Sequence, residues 1–194
     1  MPALATDGAP GAYLAGRQAL LASDFEMAST FYRQALLSDT GNTQLMESLV
    51  LSQVAQGDIE RALPVARQVE EQGLQSQVAH MAVVANLAKR EDYAALLARD
   101  PETVGVGPLV DGLITAWSHL GEGHVSEALA AFDAVGEKEG LRGFALYHKS
   151  LALASVGDFE QAEAIFAEND GGLSRISRRA AIARAEILSQ LDRN

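Results

Sequence analysis

Four histidines, His80, His119, His124 and His148, are the side chains best suited to proton transfer or metal binding. No two of them have the HExxH spacing that puts two ligands on one helix face. His119 and His124 flank Glu122 across a glycine-containing segment. That trio could hold a metal ion from a loop, but two histidines and one carboxylate at a hinge read better as solvated residues. Tyr147-His148-Lys149 collects three reactive types. Successive helical residues point about 100° apart, so the three do not converge on one substrate. Tyr147 is expected to line a groove, His148 to point laterally, and Lys149 to lay its stem on the following helical pair.

The remaining chemistry-bearing patterns are weaker. No nucleophile elbow, P-loop or dinucleotide fingerprint occurs. Gly105-Val106-Gly107 lacks both the further glycine and the preceding strand that a phosphate cradle needs. The acid pairs Glu70-Glu71 and Glu137-Glu139 read as solvated helix ends and loops. Arg175, Arg178, Arg179 and Arg184 form a basic cluster near the C-terminus, which reads as a solvated face able to meet an acidic partner. No catalytic, cofactor-binding or metal-ligating residue is singled out, and a non-enzymatic protein without a cofactor is expected.

Composition narrows the function classes further. The chain has 194 residues and a formal net charge of -11. Such a charge disfavours a nucleic-acid binder, whose affinity comes from neutralising phosphates, and disfavours docking on an anionic membrane surface. There is no cysteine, hence no disulfide, thiol catalysis or thiolate metal site. No apolar stretch is long enough to span a bilayer, so no membrane insertion is expected. The first residues lack the charged and apolar regions of a signal peptide, which as written suggests the cytoplasm. Ala3-Leu4-Ala5, however, has the small-residue character of a signal-peptide cleavage end, and would place the chain in a bacterial periplasm.

Helix formers dominate the regular stretches, and an all-α protein is expected. An arm over 1–11, carrying Pro2, Gly8, Pro10 and Gly11, precedes helices beginning near Tyr13, Asp24, Thr43, Ile59, Ser76, Tyr93, Pro108, Ser126, Leu141, Asp158 and Ser174. Pro64 is expected to bend the fourth helix near its start. Asp100-Pro101 stops the sixth, and 103–108 reads as irregular.

These helices pair with a period. Ala28, Ala62, Leu96, Ala128 and Ala162 fall 34, 34, 32 and 34 residues apart. The hinges before them read Ser23-Asp24-Phe25, Gly57-Asp58-Ile59, Glu91-Asp92-Tyr93, Gly123-His124-Val125 and Gly157-Asp158-Phe159. Four residues after each small residue come Tyr32, Ala66, Asp100, Phe132 and Phe166. A helix–turn–helix period of about 34 residues with this small-then-aromatic pattern resembles the tetratricopeptide repeat family. The likeness is strongest in the first unit (Gly16, Ala28, Tyr32, Ala35) and the fifth (Ser150, Gly157, Ala162, Phe166). It is poorest in the third, where Leu96 and Asp100 replace the small and aromatic residues.

The resemblance implies a right-handed superhelical α-solenoid of about eleven helices over 12–194. Its units would be 12–42, 43–75, 76–107, 108–140, 141–173 and a half unit at 174–194. A kink is expected around 93–108. Leu188 to Asn194 parallels Leu51 to Gly57, so the chain stops where the next hinge would stand. That suggests a segment of a longer array.

In this family the first helix of each unit lines a concave face that binds other proteins. By helical spacing that face would carry Tyr13 and Arg17, Glu47 and Leu51, Met81 and Ala85, Leu113 and Trp117, Tyr147 and Leu151, and Arg184 and Leu188. Its apolar, aromatic character fits a peptide or helix as partner. Family members that clamp a peptide's C-terminal carboxylate use Lys and Asn where this chain has Tyr13, Arg17, Glu47 and Leu51, so that mode is not implied. The second expectation is structural: a homo-oligomer, or a groove filled by the same longer chain.

Overall fold

A computed structural model describes residues 9–169 and 178–193. The described residues form twelve α-helices and no strand. They are α1 Ala9–Leu21, α2 Phe25–Leu36, α3 Thr43–Ala55, α4 Ile59–Glu71, α5 Gln77–Lys89 and α6 Tyr93–Leu97. There follow α7 Pro101–Val104, α8 Pro108–Gly121, α9 Val125–Gly136, α10 Arg142–Ser155, α11 Phe159–Glu168 and α12 Arg178–Gln190. The chain divides into two compact units, Met1–Asp92 with Arg99–Val106, and Tyr93–Ala98 with Gly107–Asn194.

One backbone device recurs at the hinges. At α10 the N–H of Gly157 donates to Ala154 O and that of Asp158 donates to Leu153 O, at 3.1 and 2.9 Å. This is the paired Schellman closure, which requires a left-handed residue at the turn. Gly157 takes it at φ +86° with no Cβ penalty. The Asp158 carboxylate then accepts the N–H of Gln161 and starts α11. Positive φ occurs at Ser23, Gly57, Glu91, Gly123, Gly157 and Asp192, which places the same turn at each of the five expected hinges and once more near the chain end. The last turn closes with the Arg193 N–H on Leu188 O. It therefore falls at Asp192, not at Asn194 as the internal parallel predicts.

The small and aromatic positions form the interior. Ala28, Ala62, Ala128 and Ala162 are wholly buried, and Tyr32, Phe132 and Phe166 are nearly so. Gly16 lies against the Tyr32 ring, where an added Cβ would stand 3.1 Å from two ring carbons. Ser150 donates its hydroxyl to Ala162 O at 3.1 Å, tying α10 to α11 where they cross. Within the first unit α1 packs on α2, α2 on α3, α3 on α4 and α4 on α5, while α3 also meets α5. Within the second, α8 packs on α9, α9 on α10, α10 on α11 and α11 on α12, and α8 and α12 both meet α10.

Several local expectations are corrected. Helix α1 begins at Ala9, so residues 9–11 of the expected arm are helical. Pro10 is tolerated because the first-turn amide of a helix has no partner to lose. Residues 1–8 and 170–177, with Arg175 and the expected start of the last helix at Ser174, lie outside the described residues. Helix α4 is continuous from Ile59 to Glu71 with Pro64 inside it, which leaves the expected bend neither shown nor overturned. At α9 the cap position is taken by His124 of the expected hinge rather than by the alternative Ser126, and His124 makes no side-chain capping bond. The stretch read as irregular contains a short extra helix, α7, started by Asp100 accepting the Glu102 N–H.

Candidate functional site

The expected partner-facing residues of the first unit lie on α1, α3 and α5. Arg17 is exposed, Tyr13 and Glu47 are half-buried, and the Tyr13 ring tilts toward Tyr32 at 6.4 Å. Leu51 and Met81 keep 43% and 40% of their surface in solvent, on the neighbouring helices α3 and α5. Ala85 is half-buried on α5. On the same helices Leu45, Met46, Leu49 and Val50 of α3 and Ala82 and Val83 of α5 are buried.

In the second unit Leu113 and Trp117 lie on α8, Tyr147 and Leu151 on α10, and Arg184 and Leu188 on α12, all half-buried. Leu113 and Trp117 pack against Ala116, Phe132 and Ala152. Tyr147 and Leu151 pack against the cluster of Leu153, Ala162 and Phe166. Trp117 meets Phe132 edge-on at 5.7 Å and His148 edge-on at 6.1 Å. Its indole Nε1–H donates to His148 Nδ1 at 3.1 Å. Tyr147 places its ring 5.4 Å from the His148 ring. Burial holds the His148 imidazole below its ordinary pKa, because the cation is poorly solvated there.

Two side chains behave differently from expectation. Lys149 does not lie on the following pair: its ammonium binds Asp133 of α9, in the preceding pair, at 2.6 and 2.8 Å. His148 is not merely lateral, since it accepts the Trp117 bond. Arg184 binds Glu163 of α11 at 2.9 Å, and Glu163 is buried. One exposed aromatic escaped the spacing argument. Phe144, one turn before Tyr147 on α10, is 44% exposed.

The structure also assembles a cluster that sequence reading missed. His80 is 1% exposed and stands between Ser76 and Glu70. Its Nε2 accepts the Ser76 backbone N–H at 3.3 Å, so Nδ1 carries the proton and donates to Glu70 Oε1 at 3.1 Å. Arg99 closes the set, with Nη2 2.6 Å from Glu70 Oε1. Ser, His and Glu in this order suggest a hydrolytic triad, but the wiring forbids it. The Ser76 hydroxyl accepts the Ala79 N–H as the cap of α5, and His80 faces the serine's amide. No base stands beside a nucleophile. The only sequence signal was the spacing of one turn between the cap Ser76 and His80.

The cluster positions the chain after α6. Arg99 also donates to Val104 O, Gln75 to Thr103 O and Gln77 to Val106 O, which fastens residues 99–106 onto the first unit. Helix α6 ends at Leu97, and residues 99–106, α7 among them, are held by side chains of α4, α5 and their loop.

His119 and His124 come together at 6.4 Å, with His124 Nδ1 3.6 Å from Glu122. Among the described residues no group of three His, Asp or Glu side chains could hold a metal ion. No helix is long and apolar enough to cross a membrane, among the described residues. A groove of about 390 Å³ in the first unit is walled by Leu36, Met46, Leu49 and Val65. One of about 440 Å³ in the second lies between α9 and α10, beside the Asp133–Lys149 pair. No known family model matches the chain, and no curated protein matches it.

Proposed function

We propose that the chain is a non-catalytic protein-interaction scaffold, a solenoid of tetratricopeptide type that binds a peptide or helix on the face formed by the first helix of each pair. The observation that carries this reading is the exposure of Leu51 and Met81 on adjacent first helices of the first unit. Large apolar side chains left in water favour an interaction surface, and methionine adapts to varied partners. Arg17 and Glu47 would supply polar contacts beside them. In the second unit Leu113, Trp117, Tyr147 and Leu151 would contribute through their half-exposed edges.

The scaffold reading also draws on the histidines, whose described hydrogen-bond and ion-pair partners are an indole, a backbone amide or single carboxylates and include no activated nucleophile. The partner is another protein, with no nucleic acid or membrane involved. Partners captured by the wild type would be identified, then tested one by one against the double variant Leu51→Asp with Met81→Asp. Arg67→Glu, on an exposed position of α4, serves as the control. At least a tenfold loss of affinity in the double variant alone is expected. Retention of every wild-type partner by the double variant would sink the reading. Light scattering on the same proteins tests the self-association alternative, which predicts a dimer that the double variant dissolves.

A further inference from the structure

The bond between Trp117 and His148 has a defined direction. Indole nitrogen can only donate, so the Nδ1 atom that receives it must be unprotonated. Neutral His148 therefore carries its proton on Nε2. The acceptor is the ring nitrogen that a second proton would occupy. Once Nδ1 is protonated, two N–H donors face each other and the bond cannot persist. Phe132 holds the indole edge-on from another side, which limits its freedom to swing to a new acceptor.

We propose that the Trp117–His148 contact is a proton-operated joint between α8 and α10, closed while His148 is neutral and released when Nδ1 takes a proton from solvent. The two helices are the first members of successive pairs and meet directly. Release would loosen their contact without breaking the α8–α9 or α9–α10 pairings. Burial sets the operating range, because it pushes the His148 pKa down and keeps the joint closed at neutral pH.

The surrounding charges do not offer the imidazolium a substitute partner. On α9, Asp133 is held by Lys149. On α11, Glu163 is held by Arg184 of α12, and Glu160 by Arg193. On α8, the Asp111 carboxylate accepts the Gly107 N–H, and His119 is the other titratable group in the turns nearest Trp117. On α10 itself the neighbours are Tyr147 and the cation Lys149. Glu127, Glu137, Arg142, Glu168, Arg178, Arg179 and Glu186 complete the charged groups on these helices, and none forms an ion pair with His148 among the described residues.

Trp117 is the single tryptophan, so the indole emission of the chain comes from this site. Fluorescence and the nitrogen shifts of His148 would be followed between pH 8 and pH 4.5 in the whole chain. The wild type should show Nε2 protonated and Nδ1 bare at neutral pH. A change in emission should then share its midpoint with His148 titration, below the ordinary histidine value of about 6.5. His148→Asn places a carbonyl oxygen near the Nδ1 position and does not titrate. It should keep the neutral-pH spectrum and lose the transition. His148→Phe should show the released spectrum at every pH. The proposal is overturned if neutral His148 carries its proton on Nδ1, or if His148→Asn keeps the wild-type transition. Any effect of the joint on partner binding rests on the scaffold reading above. The spectroscopic test needs no partner, so the two can fail separately.

Discussion

Arg99 reaches back 29 positions to Glu70 and places a guanidinium nitrogen 2.6 Å from its carboxylate, both side chains being largely buried. The contact joins a residue just past a broken helix to the last turn of α4. With the bond from Arg99 to Val104 O it ties the segment after α6 to α4.

Arg99→Ala should therefore do more than remove a surface charge. Among the described residues Glu70 would keep the His80 N–H as its one partner, and Val104 O would lose a donor. A cost of about 2 kcal/mol or more is expected, since an incompletely paired carboxylate remains in a half-buried site. Urea denaturation would measure it. Hydrogen exchange should quicken at residues 101–106 before it quickens in α3. Unchanged exchange there would show that the segment is held by other contacts.

The hinge residues offer a paired comparison. Gly157 and Glu91 both occupy left-handed backbone, at φ +86° and +55°. Gly157→Ala forces a Cβ into that conformation and should cost about 1–2 kcal/mol. Glu91→Gly relieves the same strain, partly offset by the greater entropy of an unfolded glycine, and should be neutral or stabilising by up to about 1 kcal/mol. Equal destabilisation by both substitutions would mean that backbone strain does not set stability at these turns.

Ala162 is wholly buried beside the Ser150 hydroxyl that bonds its carbonyl. Ala162→Phe should overpack the α10–α11 crossing and cost about 1–3 kcal/mol. Ala164→Phe, two positions along on a half-buried site, should cost less. Thermal melts of the two variants distinguish a close crossing from a general intolerance of bulk in α11.

Stability should depend on pH through His148. Its folded-state pKa lies below the unfolded value, so the unfolded chain binds more protons as pH falls below about 6.5. The stabilisation is present above that pH and is lost as pH drops through the lower folded value. Urea midpoints of the wild type and His148→Asn should therefore diverge between pH 7.5 and pH 5, with the variant losing less. Parallel midpoints over that range would place the acid sensitivity elsewhere.

The hinges were legible in the sequence because the signals are local. A cap aspartate at 24, 58 or 158 acts within its own first turn. The left-handed residue before it closes the preceding helix through bonds at most five positions long. Alanine and an aromatic residue one turn apart, at 28 and 32, 128 and 132, and 162 and 166, are buried in three of the pairs. Leu51 and Met81, chosen from the register of the repeat, are exposed on α3 and α5.

What the amino-acid order could not disclose lies across longer separations. The Arg99–Glu70–His80 cluster, the turn of Lys149 toward Asp133 and the bond from Trp117 to His148 join residues 10 to 31 positions apart. Each depends on which rotamer fits between packed helices and which buried polar group still needs a partner. By itself the sequence determined where helices start, stop and turn, since those choices are made within about five residues. Only the tertiary structure decided that His148 would take the indole proton of Trp117 as its partner. That choice required two helices to meet and bury a polar atom on each.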